Sequence, residues 1–237
     1  MSRFRETVIT LFFRRLKMNA LIISSLVIFQ MAGLVASLPG ETTTIWLKHM
    51  IMTTTAYTGN MIVMLTLLWA FIVPLYATKR KTFAGKTSKY IECFSADVLF
   101  MLFVSLLGSL TAVLLSLAGR LLILFYRGFD GIHLFQAVSL RELFITLLAL
   151  CLNHLLVFSF GYLIGEAVQV RRAFQWFIPL MLFFVLFLSL LLFGKNNLLA
   201  FYFAETNLLS FTAKCVVSAV LFMGIAFVIQ KRSEVGR

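Results

Sequence analysis

The tripeptide Gly85-Lys86-Thr87 has the residue types that end a phosphate-binding P-loop. A P-loop has the pattern G-x-x-x-x-G-K-[ST] between a strand and a helix, because its backbone N–H groups must surround the phosphates. Here Arg80 occupies the position of the first glycine, and a long apolar segment precedes the tripeptide. The sequence therefore does not predict nucleotide binding by this chain.

The sequence contains no complete catalytic motif of the kinds that its histidines, serines and cysteines could form. The three histidines, His49, His133 and His154, are far apart and form no H-E-x-x-H motif. Ser159 and His154 are five residues apart on one predicted helix and face different directions, so they do not form a serine protease pair. The three cysteines form no C-x-x-C pair. We therefore expect no catalytic site, metal or cofactor in this chain.

The elements that carry these residues are apolar segments of membrane-spanning length. Hydrophobic residues make up 61% of the 237 residues and charged residues only 13%, which is far from the composition of soluble domains. A bilayer core about 30 Å thick needs roughly 20 apolar residues per helix. Six segments qualify, at about 18–38, 57–77, 98–118, 143–164, 174–193 and 209–229. The sequence predicts an all-α integral membrane protein with six transmembrane helices in one domain, 1–237.

The distribution of the net charge of +12 along the chain indicates a membrane topology and not a surface that binds nucleic acid. Cytoplasmic loops of membrane proteins carry the excess of Lys and Arg. With the N-terminus inside, fifteen of the 21 Lys and Arg residues fall on the cytoplasmic side and six on the other. An even number of spans also places both basic termini on one side. We predict an N-in/C-in topology, with membrane lipids as partners of the charge and no nucleic acid.

Residues 3–17 precede the first span and have an amphipathic pattern at helical spacing. The apolar arc contains Phe4, Val8 and Phe12, the opposite arc contains Arg14, and Arg15 interrupts the apolar arc. This pattern predicts a helix that lies in the cytoplasmic interface and leads into the membrane.

A few polar residues lie within or at the ends of the predicted spans. Asn60, Asn153 and His154 either line a translocation path or make hydrogen bonds between helices, and the sequence leaves both interpretations open. Asp97 and Glu166 lie at the predicted cytoplasmic ends of the third and fourth spans. We expect neighbouring Lys or Arg side chains to pair with them.

The loop between the second and third spans is the longest polar cytoplasmic connection, and it combines basic with aromatic residues. It is either a plain positive anchor or a docking surface for a partner beneath the membrane. The residues expected on that docking surface are Lys79, Arg80, Lys81, Phe83, Lys86, Lys89, Tyr90 and Glu92.

Several features of the layout occur together. They are an amphipathic N-terminal helix, six spans with both ends inside, a basic inner loop and a short amphipathic outer segment between spans five and six. The inner loop continues into the third span as "RKTFAGKTSKYIECFSADVLF", and the tail contains "KRSEV". In this combination the chain resembles the permease subunit of a type-2 ABC exporter.

The resemblance implies a half-transporter in which two permease subunits, identical or homologous, bind two separate cytoplasmic ABC ATPase subunits that hold ATP and Mg²⁺. The N-terminal helix and the loop 79–92 would receive the motion of the ATPase. The inner loop of that family often has an acidic residue before its helix, whereas the first acid here is Glu92. The expected function is export of a hydrophobic or amphipathic peptide, antibiotic or lipid-linked molecule across a bacterial or archaeal cytoplasmic membrane.

The alternative is a six-span substrate-binding subunit or small secondary transporter that works without such an ATPase. Transporters of that class bind their substrate near the middle of the bilayer, with polar or charged groups. The sequence offers few such groups at that depth.

Overall fold

A computed structural model describes residues 2–37, 41–47, 50–56, 60–79, 90–127, 139–170 and 207–235. In chain order the elements are α1 (Ser2–Met18), α2 (Ala20–Ser37), β1 (Glu41–Leu47), β2 (Met50–Ala56), α3 (Asn60–Lys79), α4 (Tyr90–Arg127), α5 (Leu140–Val170) and α6 (Leu208–Val235). The predicted span 174–193 and residues 80–89 of the predicted docking loop lie outside the described residues.

Five of the described helices, α2 to α6, are long and apolar enough to cross a membrane. They coincide with the predicted spans at 18–38, 57–77, 98–118, 143–164 and 209–229. The prediction of a multi-pass, helical membrane protein is therefore confirmed for these segments. The count of six spans and the N-in/C-in orientation stay predictions.

Helices α4 and α5 are longer than their predicted spans. They contain 38 and 31 residues, and at a rise of 1.5 Å per residue they are about 57 Å and 46 Å long. A bilayer core about 30 Å thick accommodates only part of that length. The predicted spans 98–118 and 143–164 are thus the central parts of longer helices, and α4 begins within the predicted docking loop, at Tyr90.

Strands β1 and β2 form a two-stranded antiparallel hairpin between α2 and α3 in the chain. Its register pairs Glu41 with Ala56 and Leu47 with Met50. Within it, Thr42 to Thr44 pair with Thr55 to Thr53 in order. No strand was predicted from the sequence in this connection between the first two spans. Two runs of β-branched threonine favour extended backbone and cross-strand pairing, which explains the difference.

Helix α5 contacts three of the other spanning helices, namely α3, α4 and α6. The main core lies where α3, α4 and α5 meet, and it includes Trp69, Phe100 and Phe158. The rings of Phe100 and Phe158 meet edge to face, with centroids 6.1 Å apart. Helix α5 therefore connects α6 with α3 and α4, which also contact each other directly.

Glycines bring α3 very close to α5. On α5, Gly161 and Gly165 have G-x-x-x-G spacing. A methyl group added at Gly161 would lie 2.6 Å from the carbonyl oxygen of Phe71, and one added at Gly165 would overlap the side chain of Thr78. Small residues at this spacing allow two helix backbones to approach closely in a membrane. The α3–α5 contact therefore depends on the absence of side chains at both positions.

Helix α1 packs against α4. Val8 is buried, and the ring of Phe12 meets that of Phe103 edge to face at 5.9 Å. Phe4 and Arg14 are exposed. A helix is thus present where residues 3–17 predict one, and part of its apolar arc covers another helix. Its position in the membrane interface stays a prediction.

Candidate functional site

Two groups of buried polar side chains stand out among the described residues. The first, which we call the Arg15 cluster, joins three helices. Its members are Arg15 of α1, Asp97 of α4, and Tyr162 and Glu166 of α5. Each is at most 7% exposed. Because an unpaired buried charge is very costly, these groups must satisfy one another.

Asp97 is the centre of the Arg15 cluster. Its Oδ1 forms an ion pair with the guanidinium of Arg15, and its Oδ2 accepts a hydrogen bond of 2.6 Å from the hydroxyl of Tyr162. Glu166, one turn further along α5, interacts electrostatically with Arg15 and Tyr162. Burial lowers the pKa of Arg15 below its ordinary value. A guanidinium nevertheless stays charged in a protein, so α1 contributes a buried positive charge to α4 and α5.

The Arg15 cluster settles two sequence predictions. Asp97 was expected to pair with a neighbouring Lys or Arg, and its ion pair with Arg15 confirms this. Arg15 was interpreted as an interruption of the apolar arc, and it is indeed buried on the apolar side of α1. It lies on the buried side of α1 because its partner on α4 offsets the cost of burial, and a helical wheel of α1 alone does not include that partner.

The end of α3 is also bound to α5. The side-chain amide of Gln169 donates a hydrogen bond of 2.7 Å to the carbonyl oxygen of Thr78. Carbonyl groups in the last turn of a helix have no partner within that helix, so Gln169 supplies one. Both flanks of residues 80–89 therefore meet α5, since α3 does so through Thr78 and α4 does so through Asp97 and Tyr162.

The predicted docking residues are only partly described. Lys79 ends α3, Tyr90 begins α4, and Glu92 lies half-buried in the first turn of α4. An acidic side chain in that position interacts favourably with the positive end of the helix dipole. The other predicted docking residues, Arg80, Lys81, Phe83, Lys86 and Lys89, lie outside the described residues. The docking surface thus stays a prediction.

The second polar group lies near the middle of four spanning helices, and we call it the His154 cluster. Its members are Gln30 of α2, Trp69 of α3, Ser105, Gly108, Ser109 and Thr111 of α4, and His154 of α5. The amide nitrogen of Gln30 donates to Thr111 Oγ1 at 2.8 Å and to the carbonyl oxygen of Gly108 at 3.3 Å. The indole N–H of Trp69 donates to the carbonyl oxygen of Ile22 at 3.1 Å. These bonds connect α2 to α3 and α4.

His154 is completely buried, and its Nδ1 atom has two partners. The carbonyl oxygen of Leu150 is 2.8 Å away and the hydroxyl oxygen of Ser109 is 3.2 Å away. Within the described part of the chain, no group lies within hydrogen-bonding distance of His154 Nε2 or of the hydroxyl of Ser105. Two buried polar atoms near the middle of the bundle therefore have unused hydrogen-bonding capacity.

The three intramembrane residues singled out in the sequence occupy different environments. Asn60 is exposed and is the first residue of α3, where the spanning segment Asn60–Thr78 begins. Asn153 is half-buried, and His154 alone belongs to the buried cluster. The expectation of few polar groups at mid-depth stays a prediction, while the fold brings several of the polar side chains that are present into one cluster. The spacing of Ser105, Gly108 and Ser109 on one face of α4 was the signal available in the sequence.

The described residues contain no group of three or more His, Cys, Asp or Glu side chains that could hold a metal ion. Searches with the chain found no matching protein family, curated protein or solved structure. Support for a function therefore comes from the Arg15 cluster, the His154 cluster and the layout of the sequence.

Proposed function

We propose that this chain is the transmembrane permease subunit of an ABC transporter. It exports a hydrophobic or amphipathic molecule, such as a peptide, an antibiotic or a lipid-linked compound, and a separate ATPase subunit binds and hydrolyses ATP with Mg²⁺. Its protein partners are that cytoplasmic ATPase and a second copy or homologue of the permease. The membrane is a bacterial or archaeal cytoplasmic membrane.

The observation that carries this proposal is the buried ion pair between Arg15 and Asp97. It fastens the N-terminal helix to the beginning of α4, close to the end of the loop 79–92. In the proposed transporter, these are the two parts that receive the motion of the ATPase. Removing one partner of a buried ion pair typically costs about 3–5 kcal/mol. A displacement of α1 or of the loop is therefore expected to move α4 as well.

The α5 contacts support the same proposal. Tyr162 binds Asp97 of α4, and Gln169 binds the end of α3. Both helices that border the loop thus transmit force to α5, and α5 also contacts α6. Motion that begins beneath the membrane has a continuous, packed route into the spanning helices.

The proposal is tested with two neighbouring arginines, Arg15 and Arg14. The chain is co-expressed with an ABC ATPase encoded beside it, and ATP hydrolysis by the purified complex is measured in lipid vesicles. Arg15→Gln removes the buried partner of Asp97, and we expect it to lower substrate-coupled hydrolysis. Arg14→Gln removes an exposed charge from the same helix, and we expect hydrolysis close to that of the unaltered chain. Equal effects of the two changes would contradict the role given to the ion pair.

The docking loop needs its own test. Phe83, Lys86 and Tyr90 are substituted together, and assembly with the ATPase is measured alongside ATP hydrolysis. Loss of assembly is expected if these side chains contact the ATPase. If assembly and coupled hydrolysis both survive the triple change, the docking assignment is wrong.

A second candidate function is a secondary transporter or substrate-binding subunit without an ATPase. The His154 cluster favours it, because such transporters place polar groups near the middle of the bilayer. Transport into vesicles that contain this chain alone, driven by an ion gradient and without ATP, would support this candidate. Transport that requires both the ATPase and ATP would exclude it.

A further inference from the structure

One side of the His154 imidazole faces Gly108 of α4, which has no side chain. A methyl group added at Gly108 would lie 3.5 Å from His154 Cδ2, 3.5 Å from Trp69 Cζ3 and 3.6 Å from His154 Nε2. These are ordinary van der Waals distances. At Gly33, in contrast, an added methyl group would lie 2.7 Å from the Cα atom of Ile62. Gly108 therefore leaves a space of about one methyl group between the indole and the imidazole.

The hydrogen bonds of Nδ1 determine the chemistry of Nε2. A backbone carbonyl oxygen can only accept, so Nδ1 must carry the proton that it shares with Leu150. The hydroxyl of Ser109 donates to the carbonyl oxygen of Ser105 at 2.6 Å, so its oxygen is an acceptor toward Nδ1. In the neutral ring Nε2 then has a lone pair and no hydrogen. It is an acceptor that lacks a donor within the described residues.

The surroundings favour a neutral ligand for this lone pair. The described residues named in these bonds and distances are Trp69, Gly108, Ser109 and Leu150, and none of them carries a charge. A positively charged ring or a bound cation would have no carboxylate from this set to offset its burial. Ser105, on the same face of α4 as Gly108, supplies a second polar atom without a partner in the described chain.

We infer that the space between Gly108, Trp69 and His154 binds a small hydrogen-bond donor, an O–H or N–H group, which donates to Nε2 of His154. The donor belongs either to a buried water molecule or to a neutral organic molecule within the bundle. Buried waters commonly satisfy such polar atoms. The inference concerns the middle of the bundle and is independent of the proposed ATPase.

The test is nitrogen NMR of the full-length chain labelled with ¹⁵N-histidine, in bilayers of phosphatidylcholine and phosphatidylglycerol. The chain has three histidines, and the resonances lost in His154→Gln identify those of His154. We expect Nδ1 to be protonated and Nε2 to be unprotonated, with the Nε2 resonance shifted upfield by a hydrogen bond. A protonated Nε2, or an Nε2 resonance at the position of a free acceptor, would overturn the inference.

The source of the donor is read from the same sample. A cross-peak from water protons to Nε2 identifies a buried water. A hydrogen-bonded Nε2 without that cross-peak, together with an organic molecule recovered from the purified chain by mass spectrometry, identifies a donor group of that molecule. Either result supports the donor site and decides between its two sources. A hydrogen-bonded Nε2 with neither a water cross-peak nor a recovered molecule would contradict the inference, because the donor would then belong to the chain.

Two alanine variants test the location of the site. Gly108→Ala fills the space with a methyl group at ordinary contact distances, so the helix packing is expected to persist while the donor is displaced. The Nε2 resonance should then move toward the free-acceptor position. Gly224→Ala adds a methyl group to α6 where no described atom lies within 4 Å, and it should leave the resonance unchanged. An unchanged Nε2 resonance in Gly108→Ala would contradict the assigned site, and this comparison does not depend on the folding of His154→Gln.

Discussion

Replacing Gly161 by alanine is expected to force α3 and α5 apart. The added methyl group would lie 2.6 Å from the carbonyl oxygen of Phe71 and 2.8 Å from Cγ of Pro74. Ordinary contacts of such a carbon begin near 3.4 Å. The carbonyl group belongs to a helix backbone and the proline ring is rigid, so neither group can rotate away. The two helices must therefore separate by roughly 1 Å, which conflicts with dense core packing.

The magnitude follows from two opposing terms. Overpacking of a well-packed core typically costs about 1–3 kcal/mol. Replacing glycine by alanine within a helix gains up to about 1 kcal/mol of intrinsic helix propensity. Gly224→Ala has the same propensity gain but no described atom within 4 Å of the new methyl group. The difference between the two variants thus isolates the overlap, and we expect Gly161→Ala to unfold more easily by about 1–3 kcal/mol, or roughly 5- to 150-fold in the unfolding equilibrium.

Unfolding of the purified chain in mild detergent is measured by far-UV circular dichroism during titration with a denaturing detergent. Gly161→Ala should lose its helical signal at a lower denaturant fraction than Gly224→Ala. Equal unfolding midpoints for the two variants would refute the close α3–α5 contact, because no overlap would then need to be relieved.

Three further predictions concern the buried polar groups and the thiols. Tyr162→Phe removes the hydroxyl that binds Asp97 and should destabilise the fold by about 1–3 kcal/mol in the same unfolding assay, since a hydrogen bond to a buried carboxylate is lost. Gln30→Leu removes the bonds to Thr111 and Gly108, and its cost should be smaller, about 0.6 kcal/mol, because hydrogen bonds between membrane helices are weak on average. A cost of Gln30→Leu above that of Tyr162→Phe would contradict this ranking. A maleimide reagent should label half-buried Cys93 before Cys215, which is 0% exposed, and mass spectrometry of the labelled peptides would reveal the opposite order.

The sequence predicts the spanning helices well because each is encoded locally. Twenty apolar residues without charge specify a helix in a bilayer whatever the remainder of the chain does. The full length of α4, from Tyr90 to Arg127, was harder to predict, since its ends contain charged residues that a search for apolar runs excludes. The hairpin at 41–56 was missed because a search for apolar runs of spanning length does not detect short threonine-rich strands.

The candidate sites depend on contacts between distant parts of the chain, and a single sequence does not specify these pairs. Arg15 lies on the buried side of α1 only because Asp97 lies opposite on α4. His154 was recognised as an intramembrane polar residue, but the facing Gly108 and Ser109 were not. The spacing of Gly161 and Gly165 was readable in advance as a helix-packing motif. Its partner, the stretch of α3 from Phe71 to Thr78, emerges only from the fold.

The most direct test of the proposed function is assembly with an ATPase. The unaltered chain is purified with the ABC ATPase encoded beside it, and ATP hydrolysis by the complex is measured in lipid vesicles with and without candidate amphipathic peptides. The permease proposal predicts a stable complex whose hydrolysis is stimulated by a transported peptide. Failure of the chain to bind the ATPase, together with peptide transport by the chain alone, would contradict it.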